Sequence, residues 1–186
     1  MIQEEDIKPH GEGLTNKTIF VQELQALEQD GINKLLEWLQ IEGFFKAPAS
    51  TRFHGSYTGG LLDHSVNVFN EFMKMPLKLP RRTKVITTLL HDVCKTNSYI
   101  KTETGYKFNP DMKGKGHALF SIEIIEKFFV LTKQEIEMIK FHMGWYGIIP
   151  WMNPEYKMGD LLKGMNIKEV KALHLADEYA TQFIDK

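Results

Sequence analysis

The sequence is poor in cysteine, with Cys94 alone among 186 residues. One thiol cannot build an internal disulfide framework, and a chain of this length buries a sufficient core without one. Charge of one sign is also missing. Lys and Arg number 23 against 24 Asp and Glu, a formal net charge of −1, which argues against a surface devoted to sequence-independent grip on nucleic acid. Phosphates bound at one place need only local positive charge. No uninterrupted apolar run approaches the roughly 18 residues of a membrane span. The opening residues 1–6 are acidic where a targeting leader is basic. Together with the lone thiol, this leads us to expect a cytoplasmic protein with no membrane partner. Repeats and low-complexity tracts are absent, and the seven prolines fall mostly between periodic segments, as joints and not as linkers.

What the sequence does have is helical periodicity. Leu24, Leu27, Ile32, Leu35, Leu36 and Leu39 give residues 19–41 the spacing of one or two helices, with a break near Asp30-Gly31, after a loose start through about residue 13. Residues 46–60 are rich in Pro, Ser, Thr and Gly and read as a loop. Leu61, Val68 and Phe72 then share a face until Met75-Pro76 stops the helix. A helix is expected over 81–95, a short hairpin over 98–108, and helices over 116–131, 132–143 and 167–184, with a short one near 158–162. The expected class is all-α, a helical bundle with one hairpin. Residues 1–50 would form an N-terminal helical segment packed on the same domain as 51–186.

Imidazole and carboxylate side chains recur on the faces that periodicity assigns to the core. Burying such groups without partners costs several kcal/mol, so something must compensate them. His64 points the same way as Leu61 and Val68, while Thr88, His91, Asp92 and Lys95 draw a polar stripe down an otherwise apolar helix. His117 shares a face with Ile124 and Phe128. His142 follows Ile139 by three, and Asp177 lies with Val170, Leu173 and Ala180. Taken singly, an inward histidine is as well explained by a hydrogen bond in the core. Four His and two Asp from five helices can converge only inside a bundle, where facing helices build metal centres. Their mixed nitrogen and oxygen donors suit Mn, Fe, Zn or Mg.

In Leu89-Leu90-His91-Asp92-Val93-Cys94-Lys95 the sequence resembles the HD superfamily of metal-dependent phosphohydrolases, named for its adjacent His-Asp pair. Phe53-His54-Gly55-Ser56-Tyr57-Thr58-Gly59-Gly60-Leu61-Leu62-Asp63-His64-Ser65 is similar to the approach to the first ligand helix in HD-type 3′-to-5′ exoribonucleases, and Ala176-Asp177 to the closing aspartate. The resemblance covers about residues 52–180. It departs at Cys94, where relatives commonly carry glycine. It implies His64, His91, Asp92 and Asp177 as a primary metal site with Asp92 able to bridge, and His117 and His142 as completing a second. Two divalent cations are implied, open among Mn, Fe, Ni, Co, Mg and Zn. Such a pair activates water and neutralises phosphate oxygens, so the expected activity is phosphoester hydrolysis of the phosphodiesterase type. Asp92 is the residue expected to take or orient the water's proton. Lys95 would orient that carboxylate or meet a phosphate, or else be a solvated lysine.

Around these residues, His54 and Arg52 in the preceding loop are candidates for substrate phosphate, as are Lys113 and Lys115 just before His117. Trp145, Tyr146 and Trp151 offer stacking surfaces for a base. His174 is a candidate to orient Asp177, and His10 reads as a surface residue. The expected partner is a phosphorylated small molecule or nucleotide, extending to single-stranded nucleic acid; oligomeric state stays open. Two other readings use the same residues: a di-iron oxygenase on the same fold, and a non-catalytic nucleotide-binding regulatory module.

Overall fold

Helix α1 (Gly13–Gln25) and helix α2 (Ile32–Glu42) part at Gly31, as the expected break near residue 30 requires. The structure is a computed structural model that describes residues 13–112, 116–144 and 163–185. Gly31 has φ 92°, and a Cβ there would lie 2.1 Å from the Phe128 carbonyl oxygen, so only glycine fits. Helix α1 starts six residues before the apolar spacing does. Its first turns are held by polar contacts that periodicity cannot announce: Asn16 donates to Asp63 at 2.9 Å and Lys17 to Gln40 at 3.1 Å.

Helix α3 (Gly60–Met73) is apolar on two sides. Leu61, Leu62, Val66 and Phe69 enter a core shared with Phe20, Leu24, Leu35, Ile86, Leu89 and Ile125, whereas Val68 and Phe72 enter a second core with Met138, Leu173 and Ala176. Each fully buried side chain of this kind contributes about 1.5–3 kcal/mol, and α3 supplies both cores. The loop before it is pressed onto its first turn. A Cβ at Gly60 would come within 2.1 Å of the Gly55 carbonyl oxygen.

The helix expected over 81–95 is shorter. Helix α4 (Arg81–Leu89) stops before the His-Asp pair; Leu90 (φ −115°, ψ 2°) and Asp92 (φ −108°, ψ 15°) leave helical values, and a 3₁₀ turn covers Val93–Asn97. The polar stripe therefore leaves the helix after Thr88, and His91, Asp92 and Lys95 stand on a turn. The hairpin is present as β1 (Tyr99–Thr102) antiparallel to β2 (Gly105–Phe108), with Tyr99 opposite Phe108.

Helix α5 (His117–Glu126) ends earlier than 131, and α6 (Lys133–Phe141) earlier than 143. Between them Thr132 opens α6 with a reciprocal cap: Glu135 N–H donates to its hydroxyl at 3.2 Å and its own N–H donates to the Glu135 carboxylate at 2.8 Å. Arg82 of α4 grips that buried carboxylate at 2.6 and 2.5 Å and also donates to the Val130 carbonyl. Helix α7 (Lys168–Tyr179) passes into a π-helical turn, Ala180–Ile184. The short helix expected near 158–162 lies outside the described residues. None of the described helices is long and apolar enough to cross a membrane.

Candidate metal centre

Five elements meet where the two cores adjoin. Helix α3 supplies His64, the turn after α4 supplies His91, Asp92 and Lys95, and α5 begins with His117. His142 follows α6 directly, and α7 carries Asp177. His64, His91 and His142 are fully buried. The centre meets solvent on the side of His117 and Asp177, whose side chains are 25% and 13% exposed.

Asp92 is the hub. Its Oδ1 accepts from His117 Nε2 at 2.5 Å and lies 3.5 Å from His142 Nε2. Its Oδ2 lies 2.6 Å from Lys95 Nζ, 3.5 Å from His91 Nε2 and 3.6 Å from His64 Nε2. Asp177 Oδ1 stands 3.3 Å from His64 Nε2. Donor atoms of three sets fall within 4.8 Å of one another: His64, His91 and Asp92; Asp92, His117 and His142; His91, His142 and Asp177. These groups could hold a metal.

The opposite nitrogen of each ring is already engaged. His91 Nδ1 donates to the Thr88 carbonyl at 2.7 Å and His142 Nδ1 to the Ile139 carbonyl at 2.6 Å, while His64 Nδ1 meets Asp185 at 2.7 Å and His117 Nδ1 meets Cys94 Sγ at 3.0 Å. Each Nε2 is thereby turned inward. Among the described residues, those of His64, His91 and His142 are buried without a hydrogen-bond partner. A buried polar atom left so costs about 1–3 kcal/mol, and three converging on two carboxylates fit the donor set of a transition-metal site.

Charge at the centre follows the same geometry. Burial works against an ionised Asp92, but Lys95, His91 and His117 outweigh it and hold the carboxyl well below its ordinary range. Asp177 is likewise pushed down against its burial, chiefly by His64. Burial opposes a charge on His64 as well, yet Asp177 and Asp185 raise it to about 9; for His117, Cys94 and Asp92 overcome burial and raise it to about 10. Burial wins at His91, which falls to about 4.

The six candidate ligands are thus brought together. Lys95 is an inward lysine paired to Asp92 and not a solvated one. His54 stacks at 5.0 Å on His64, with both ring nitrogens buried and without partners among the described residues, and burial, with His64 and Lys95 adding to it, lowers it to about 4. Arg52, on the same loop, is exposed. Lys113, Lys115, Trp145, Tyr146, Trp151 and His10 lie outside the described residues. His174 places Nδ1 at 2.8 Å from the His142 carbonyl and so braces a different residue from the one expected.

Three residues at the centre carried no sequence signal as partners. Asp185 sits past the periodic face of α7, and Cys94 reads only as a small apolar residue. Tyr99, on the hairpin, is drawn into the field of Lys95, although burial dominates and raises it.

An HD domain family model matches residues 61–182. A dihydroneopterin 2′,3′-cyclic phosphate phosphodiesterase of Methanocaldococcus jannaschii is 29% identical over 108 residues, covering 53% of this chain and 43% of the relative. The chain therefore spans less than half the length of that curated relative. No solved structure matches the chain.

Proposed function

The chain belongs to the HD domain family, and from that premise we propose that it is a metal-dependent phosphohydrolase acting on phosphodiester bonds of nucleotides or nucleic-acid ends. The observation that carries this reading is the convergence on Asp92 and Asp177 of three buried imidazole Nε2 atoms that have no hydrogen-bond partner among the described residues. The relative's name supports a diester, since its substrate is a cyclic phosphate. His64, His91, Asp92 and Asp177 would hold one divalent cation and His117 and His142 the other, with Asp92 shared. When bound, such a pair supplies an activated water and neutralises charge on phosphoryl oxygens. Mn, Fe, Ni, Co, Mg and Zn all suit the donors.

The protein's own groups then have defined work. Asp92, held ionised by Lys95 and His117, orients the attacking water, and its depressed pKa makes it a better hydrogen-bond acceptor than a final resting place for the proton. Lys95 fixes that carboxylate and adds positive charge near the phosphate. His54 offers buried ring nitrogens beside His64 for a substrate oxygen, and exposed Arg52 meets the flanking phosphate. Lys115, Trp145 and Tyr146 are proposed to extend the substrate surface. The substrate is a phosphorylated small molecule or nucleotide, with a single-stranded end as the largest form. Residues 1–50 are proposed to be an N-terminal segment serving the same domain as 51–186, supported by Phe20 and Leu24 in the core of α3.

Anaerobic hydrolysis of bis-p-nitrophenyl phosphate and of a 2′,3′-cyclic nucleotide, by wild type and Asp92→Ala with each metal added singly, tests the proposal. We expect turnover by wild type and background rates for the variant. Turnover that needs dioxygen, or nucleotide retention with no product, would overturn it in favour of the oxygenase or the binding module.

A further inference from the structure

Asp185 lies beyond the residues 61–182 matched by the family model and belongs to no sequence motif. Its residue is nonetheless 2% exposed, an expensive place for a carboxylate without partners. The partners are there. Oδ2 lies 2.7 Å from His64 Nδ1, and Oδ1 accepts from Asn67 Nδ2 at 2.8 Å. Asn67 follows His64 by three on α3, so both face the same side. The Asp185 carbonyl also accepts from Gly55 N–H at 3.0 Å, which ties the loop that bears His54.

The π-helical turn explains how Asp185 arrives. Two α-helical turns take about 7.2 residues, and Asp185 is eight residues after Asp177. The N–H of Asp185 donates to the Ala180 carbonyl at 3.0 Å, five residues back, so the last turn holds an extra residue. That winding returns Asp185 to the side of the helix that carries Asp177. Among the described candidate ligands, His64 alone has a carboxylate on Nδ1; His91 and His142 use carbonyls and His117 a thiol.

We infer that Asp185 is a positioning residue for metal capture. Its carboxylate accepts a hydrogen bond from the Nδ1–H of His64, fixes the tautomer that leaves Nε2 free for the cation, and makes that nitrogen more basic. The inference rests on the proposed role of His64 as a ligand. It assigns metal affinity to a residue outside the matched domain, through the π-turn that delivers it.

The test is equilibrium titration of the full chain with Co²⁺, for wild type, Asp185→Ala, Asp185→Asn and Asp92→Ala. Circular dichroism and thermal unfolding report whether each is folded, and nitrogen NMR of the imidazoles, recorded with the ring neutral, reports the His64 tautomer. Asp185→Ala should bind Co²⁺ about 10–100-fold more weakly while folded and lose the Nδ1-protonated His64 signal. Asp185→Asn, which keeps an acceptor oxygen, should lose less, and it carries the test if the alanine variant does not fold. Wild-type affinity and an unchanged His64 tautomer in a folded Asp185 variant, with binding lost in Asp92→Ala, would overturn this inference and leave the metal centre standing. Wild type that takes up no Co²⁺ would overturn both.

Discussion

At the scale of single residues, the centre is an arrangement of buried donors whose protons have been allocated in advance. In the metal-free protein His64 and His117, raised to about 9 and about 10, are both charged at neutral pH. A cation can bind either Nε2 only once its proton has left. Metal uptake at pH 7.5 should therefore release about two protons and tighten as pH rises toward 9. Titration calorimetry in buffers of different ionisation enthalpy checks this; uptake with no proton release would contradict it. The same groups fix the sign of metal-free stability. A raised folded pKa stabilises fully below the unfolded value near 6.5, and that contribution is lost as pH climbs through 9 to 10. The candidate ligands were legible in the sequence because a polar side chain on an apolar face violates the pattern around it. Asp185 was not, because the face it shares with Asp177 exists only after the π-helical turn, and Cys94 was not, because a buried small residue violates nothing.

Elements were legible where spacing is regular and hidden where hydrogen bonds override it. The hairpin and the parting at Gly31 follow directly from turn residues. The end of α4 does not: Leu89 through Lys95 keep a helical spacing of apolar residues, yet the backbone turns at Leu90 and Asp92, and this turn aims the His-Asp pair inward. Helix α6, which delivers His142, is anchored at its other end by the Arg82–Glu135 pair, with Glu135 fully buried. Removing the cation would leave that carboxylate to its neutral donors, the Thr132 N–H and the Thr83 hydroxyl. Arg82→Met should cost about 3–5 kcal/mol of stability, read by urea unfolding. A loss under 1 kcal/mol would show that the cap at Thr132 suffices alone.

On the scale of the whole molecule, α3 is the common wall of two apolar cores, and the centre sits at their junction. Near-neutral net charge suits the proposed recognition of phosphate at one place, by Lys95 and the loop before α3, and not across a broad surface. The bundle was foreseeable from 3.6-residue periodicity. That the cores are two, with ligands emerging between them, was not, since both faces of α3 are apolar and a single sequence does not say which neighbour covers each. The proposed activity is phosphodiester hydrolysis with a cation pair held on Asp92. It is tested by following bis-p-nitrophenyl phosphate turnover while Mn²⁺ is titrated into metal-free protein. No turnover is expected without metal, and a rise that saturates at about two equivalents per chain. Full turnover in the metal-free protein, or none at any loading with any of the six metals, would contradict it.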